Sequence, residues 1–80
     1  MRARVHITLK NGVLDPQGKA IESALEGLGF SGVGNVRQGK TIEFEIEETD
    51  ETKAMTLVKD MCAKLLANPV MEDYAIEFSS

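Results

Sequence analysis

An α+β fold in the order β-α-β-β-α-β is predicted by three features of this 80-residue sequence. Short stretches alternate strictly between apolar and polar residues. Two longer stretches carry apolar residues at helical spacing. Turn and cap residues fall between them. A single domain spanning residues 1–80 is expected at this length.

Residues 3–9 alternate first. Ala3, Val5, Ile7 and Leu9 share one side, and Arg2, Arg4, His6, Thr8 and Lys10 share the other, as in a half-buried strand. Asp15 reads as a helix N-cap with Pro16 in the first helical position, where its missing N–H costs nothing. Ala20, Ile21, Ala24, Leu25 and Leu28 form the apolar stripe of that helix. Gly29 suits a left-handed C-cap, with Phe30 folding back onto the last turn. Residues 32–38, GVGNVRQ, read as a weak edge or bulged strand because of their glycines. Gly39 then turns the chain into TIEFEIE, with Ile42, Phe44 and Ile46 inward and Glu43, Glu45 and Glu47 outward.

Asp50 caps a second helix whose core stripe is Ala54, Val58, Met61, Cys62 and Leu65, flanked by Met55, Leu57 and Leu66. Asn68-Pro69 stops it, since a residue before proline leaves helical geometry. A last strand from Met71 places Tyr74, Ile76 and Phe78 on its inner face. The order is that of the ferredoxin-like split βαβ fold. Right-handed crossovers then give a four-stranded antiparallel sheet with both helices on one face and the first and third strands central.

Composition narrows the function. The chain is 42% hydrophobic and 28% charged with a net charge of −4, which disfavours general nucleic-acid binding. No apolar run reaches the roughly 18 residues of a membrane span, so a cytoplasmic protein is expected. Its single cysteine allows no internal disulfide and no cysteine-based metal site. A core this small often needs a staple, which leaves association with another chain.

No catalytic set emerges. The outer sheet face sets Arg2, Arg4 and His6 against Glu43, Glu45 and Glu47, a self-neutralising surface. An acid/base pair of His6 with a glutamate would lack both a nucleophile and an electrophile-stabilising hole. The first strand has no aromatic residue for base stacking, and Phe44 faces inward. Cys62 and the methionines of the second helix read as core filling.

The densest specification lies in NGVLDPQG, residues 11–18. An anion site at the helix start is disfavoured by the charge of Asp15. A small-molecule sensor of the ACT type, a docking loop and a simple well-capped helix start all remain open on these residues alone.

Taken together, LKNGVLDPQGKAIESALEGLGF, VRQGKTIE and MCAKLLANPVMEDY resemble the PurS family, the small subunits of phosphoribosylformylglycinamidine synthase. The likeness runs the length of the chain in order and spacing. Thr41 departs from it, at a position where an aromatic residue would fit the family.

The resemblance implies a non-catalytic bridging subunit of de novo purine synthesis. It would hold no catalytic residue, metal or cofactor of its own; ATP and Mg belong to the large synthetase subunit, PurL. A glutaminase subunit, PurQ, releases the ammonia that PurL consumes. The small subunit, as a homodimer or dimer of dimers, helps hold the two together. Motif matching carries docking roles onto Asn11, Gly12, Asp15, Pro16, Gln17 and Gly18, onto Arg37, Gly39 and Lys40, and onto Asn68 and Pro69. Arg37 and Lys40 are expected at a hairpin tip with both side chains in solvent. Segment 32–38 and the last strand are the expected edges for pairing of copies.

Overall fold

A computed structural model describes residues 1–79. The elements are β1 (Arg2–Leu9), α1 (Pro16–Gly27), β2 (Lys40–Glu45), α2 (Glu51–Met61), which runs on into a π-helical turn (Cys62–Leu66), and β3 (Glu72–Ser79). The sheet has three antiparallel strands in the order β2-β1-β3. β1 is therefore paired on both sides. Val5 stands between Ile42 and Ile76, and Ala3 between Phe44 and Phe78.

This alternation builds the core. Ala3, Val5 and Ile7 are at most 1% exposed, and Ala54, Val58 and Cys62 of α2 and its extension cover them. Each buried valine or isoleucine among them, Val5, Ile7 and Val58, contributes roughly 1.5–3 kcal/mol on burial. Asp50 caps α2 as expected, accepting from the amides of Thr52 at 2.9 Å and Lys53 at 3.4 Å.

The four-stranded sheet expected from the sequence is not formed. Residues 32–38 make no strand, because Gly32 and Asn35 take positive φ angles of 81° and 55° that break an extended run. Their amides are also spent elsewhere: Val36 donates to Glu22 of α1 and Gln38 to Asp15. β2 is consequently an edge, and β1 alone is central.

Nor do both helices cover the sheet. Gly18 is the one buried residue of α1, and Ile21 and Leu28 of its apolar stripe are 40% and 74% exposed. Gly29 ends this helix at φ 95°, and the amide of Phe30 returns to the carbonyl of Leu25 at 3.0 Å. The Phe30 side chain nonetheless stands 58% exposed. With only α2 on the inner face, Tyr74, expected in the core opposite Ile7, is 38% exposed.

A third difference lies at the end of α2. Over Cys62–Leu66 the helix widens, and the amide of Ala67 reaches back five residues to the carbonyl of Cys62 at 3.1 Å. The extra residue in the turn shifts the stripe by one. Leu65, expected inside, is 83% exposed, while Leu66 packs on the core and Ala67 is buried.

Paired substitutions read this shift. Val58→Ala should lower stability by about 2 kcal/mol through lost burial and a cavity. Leu65→Ala should change it by no more than about 0.5 kcal/mol. Urea midpoints at matched slopes give both values, and comparable losses would mean an unbroken α-helical stripe.

Candidate docking surface

The loop between β1 and α1 is organised around one carboxylate. Asp15 is 6% exposed. Its Oδ1 accepts from the Gly18 amide at 2.8 Å, which caps α1, and its Oδ2 accepts from the Gln38 amide at 2.9 Å. The Arg37 Nε lies 3.8 Å from the same Oδ2. These donors hold the Asp15 carboxyl below the ordinary carboxylate value, the Gly18 amide acting most strongly, then the Gln38 amide, with burial opposing and the Arg37 charge assisting.

Arg37 is not at a hairpin tip in solvent. Its Nη2 donates to the carbonyls of Leu9 at 2.6 Å and Lys10 at 3.0 Å, and its side chain is 33% exposed. The end of β1, the start of α1 and segment 36–38 are thus clasped together. Two glycines make the approach possible. A Cβ at Gly18 would collide with the Val36 carbonyl, and one at Gly39 with the Ile7 carbonyl. Gly12 serves the turn before the clasp: it has φ 88°, and the Val13 amide bonds the Lys10 carbonyl at 3.1 Å.

The third motif meets the same end of the sheet. The Asn68 amide donates to Glu72 Oε1 at 2.7 Å, its side chain accepts from the Val70 amide at 3.0 Å, and its carbonyl accepts from the Glu72 amide at 2.7 Å. The Lys10 amide bonds the Met71 carbonyl at 2.9 Å, so this turn abuts the Asn11-Gly12 turn. All three motif segments therefore converge where β1 ends and β2 and β3 begin. A shallow cleft of about 440 Å³ lies among them, with Thr8, Pro16, Gln17, Lys40 and Glu72 on its walls.

The sequence-derived docking residues divide by environment. Asp15, Gly18, Arg37 and Gly39 are committed to the clasp. Asn11, Gly12, Pro16, Gln17, Lys40, Asn68 and Pro69 are exposed at its surface. Three apolar residues there were not singled out for docking: Leu14, Val70 and Met71 are 75%, 76% and 42% exposed. For Leu14 and Val70 the signal was apolar character in loops, where no periodicity requires it; Met71, expected to open the last strand, lies just before β3.

The outer sheet face is self-neutralising. Arg4 Nε lies 2.9 Å from Glu43, Arg2 lies 3.7 Å from Glu43 and 3.5 Å from Glu45, and His6 Nε2 lies 2.5 Å from Glu77. Exposed pairs of this kind contribute little to stability. Among the described residues no cluster of His, Cys, Asp or Glu could hold a metal ion. Burial raises the Cys62 thiol above its ordinary value, which suits a core residue rather than a nucleophile.

The family profile described as PurS, phosphoribosylformylglycinamidine (FGAM) synthase, matches residues 2–80. The synthase subunit PurS of Bacillus subtilis is 47% identical over 76 residues, covering 95% of this chain and 89% of that one. The crystal structure of Methanocaldococcus jannaschii PurS superposes with a TM-score of 0.85 at 49% identity, over 95% of this chain and 92% of the other. A chain of the PurLQS structure from Thermotoga maritima gives a TM-score of 0.85 at 36% identity, over 95% and 93%.

The clasp has a pH signature. The folded pKa of Asp15 lies below its unfolded value, so its contribution is present above about pH 4 and is lost as pH falls through the folded pKa. Asp15→Asn should lower the melting temperature at pH 7, since a side-chain amide would set a donor against the Gln38 or Gly18 amide. The gap between variant and parent should narrow as pH drops from 4 toward 2. A gap constant across that range would mean that the charge of Asp15 contributes nothing.

Proposed function

The chain belongs to the PurS family of phosphoribosylformylglycinamidine synthase subunits, and from that premise we propose that it is the non-catalytic bridging subunit of such a synthase in purine biosynthesis. The observation that supports this most is the likeness, over 95% of the chain, to a component of the PurLQS structure. The convergence of three motif segments on one exposed end of the sheet adds a surface suited to the role.

The chemistry of the reaction explains why such a subunit is needed. Ammonia set free in water is diluted and protonated, and ammonium has no lone pair with which to attack. The glutaminase that makes ammonia and the ATP-dependent synthetase that uses it must therefore be held in register, so that the intermediate meets its acceptor at high effective concentration. Contact surfaces do this work; acids and bases are not required. In this reading the chain binds no cofactor, ATP and Mg remain with PurL, and PurQ supplies ammonia. It acts in the cytoplasm, as a homodimer or dimer of dimers. The clasp gives the loop of residues 11–18 a fixed shape, and Gln17, Lys40 and Pro69 present that shape to a partner subunit. No helix among the described residues is long and apolar enough to cross a membrane.

The isolated chain should turn over neither glutamine nor ATP. Mixed with PurL and PurQ it should raise glutamine-dependent synthesis, with much less effect when ammonia is supplied directly. Lys40 is the charge to test, because replacing Arg37 would also break the clasp. Lys40→Glu should leave the melting temperature within the equivalent of about 0.5 kcal/mol. It should weaken assembly about tenfold through a wrong-sign contact. Full glutamine-dependent activity of this variant, at limiting subunit concentration, would remove Lys40 from the docking surface.

A further inference from the structure

The sequence holds three asparagines, and the fold treats them differently. An asparagine modifies itself when the amide nitrogen of the next residue attacks its side-chain carbonyl carbon. The attack needs a neighbour with an N–H, room beside that neighbour, and an amide not spent on a hydrogen bond. Asn68 fails the first condition, because Pro69 has no N–H. Its side chain is also held, accepting from the Val70 amide at 3.0 Å. Asn35 fails the other two. Val36 is β-branched and crowds the approach, and its amide donates to Glu22 Oε1 at 3.3 Å.

Asn11 meets all three. Gly12 follows it, and both are exposed. The Lys10 carbonyl accepts from the Val13 amide at 3.1 Å, and of the two residues between them only Gly12 has a positive φ, 88°. That is a type II turn, whose central peptide joins Asn11 to Gly12. Among the described residues neither the Gly12 amide nor the Asn11 side chain has a hydrogen-bond partner. Nothing lies within 4 Å of the point where a Cβ at Gly12 would stand, so the peptide plane turns in open space.

We propose that Asn11 is a self-modification site, which loses its side-chain nitrogen as ammonia and becomes chiefly isoaspartate. The Gly12 nitrogen bonds to the side-chain carbonyl carbon of Asn11. The C–N bond of the side-chain amide breaks, and the Gly12 amide proton leaves with the departing ammonia. Water then opens the resulting succinimide. Addition at the main-chain carbonyl gives isoaspartate, and addition at the side-chain carbonyl gives aspartate. Isoaspartate routes the main chain through the side-chain carbon and leaves a free carboxylate behind. The turn is thereby lengthened by one backbone atom directly after Lys10, whose amide bonds the Met71 carbonyl and whose carbonyl receives Arg37. The exposed corner of the docking surface is displaced and gains a negative charge. That effect on docking rests on the reading of the chain as a bridging subunit; the chemistry at Asn11 does not.

Incubation of the full chain in mildly alkaline buffer tests the site. Intact mass with fragmentation places the change, and methyl uptake from S-adenosylmethionine by an isoaspartyl methyltransferase counts isoaspartate. Residue 11 should convert while residues 35 and 68 stay as asparagine. Asn11→Gln, in which the ring would need an extra atom, should lose the methyl uptake and keep the far-UV circular dichroism of the parent. Aged chain should bind PurL and PurQ several-fold more weakly than fresh chain. Conversion at 35 or 68 before 11 overturns the proposal, as does a folded chain that stays unmodified while a free peptide of residues 8–15 converts. Equal binding by aged and fresh chain overturns the effect on docking. A fresh chain that binds neither subunit counts against the bridging reading alone, which the mass measurement does not use.

Discussion

The carboxylate of Asp15 is the point on which the rest of the architecture turns. Lodged among two backbone amides and a guanidinium, it starts α1, captures the returning segment at Gln38 and draws Arg37 toward the last carbonyls of β1. A buried carboxylate is tolerated only when its lone pairs are filled, and here the donors come from two separate stretches of chain, the first turn of α1 and residues 37–38. Filling them fixes where α1 begins and which way it leaves the sheet. The position of the helix is thus decided largely by a polar constraint at its base, since most of its apolar stripe is exposed.

That order of causes explains what could be read from the sequence and what could not. Ala3, Val5 and Ile7 announce β1 because alternation has one structural meaning, and Asp50 announces α2 because capping is local chemistry. The stripe Ile21, Leu25, Leu28 likewise announces a helix with something to bury. An amphipathic stripe, however, says nothing about whose surface will cover it, so placing α1 on its own sheet was an inference from topology. Segment 32–38 failed for a related reason: valines and glycines allow an edge strand, but the positive φ of Asn35 and the capture of two amides by Glu22 and Asp15 remove it. Leu65 was misplaced because a π turn inserts a residue without any composition signal.

The candidate docking residues divide along the same line. Motif likeness drew attention to three segments, and the fold brings them to one end of the sheet. It could not separate residues that make the shape from residues that display it. Arg37 looked like a surface charge because its neighbours Gln38 and Gly39 read as a turn, while its acceptors, the carbonyls of Leu9 and Lys10, lie 28 and 27 positions away in sequence. Backbone carbonyls leave no trace in composition, so such a clamp is legible only in three dimensions.

The glycines at 18 and 39 carry one more consequence. Both sit where main chain meets main chain, at Val36 and Ile7. The close approach at the base of α1 therefore depends on backbone contacts as well as on the Asp15 and Arg37 side chains, and not on any large apolar side chain. Aim and composition are separately encoded: substitutions along the exposed face of α1 can alter what it adheres to while its direction stays the same. Point mutations on that exposed face leave the body that carries the helix unaltered.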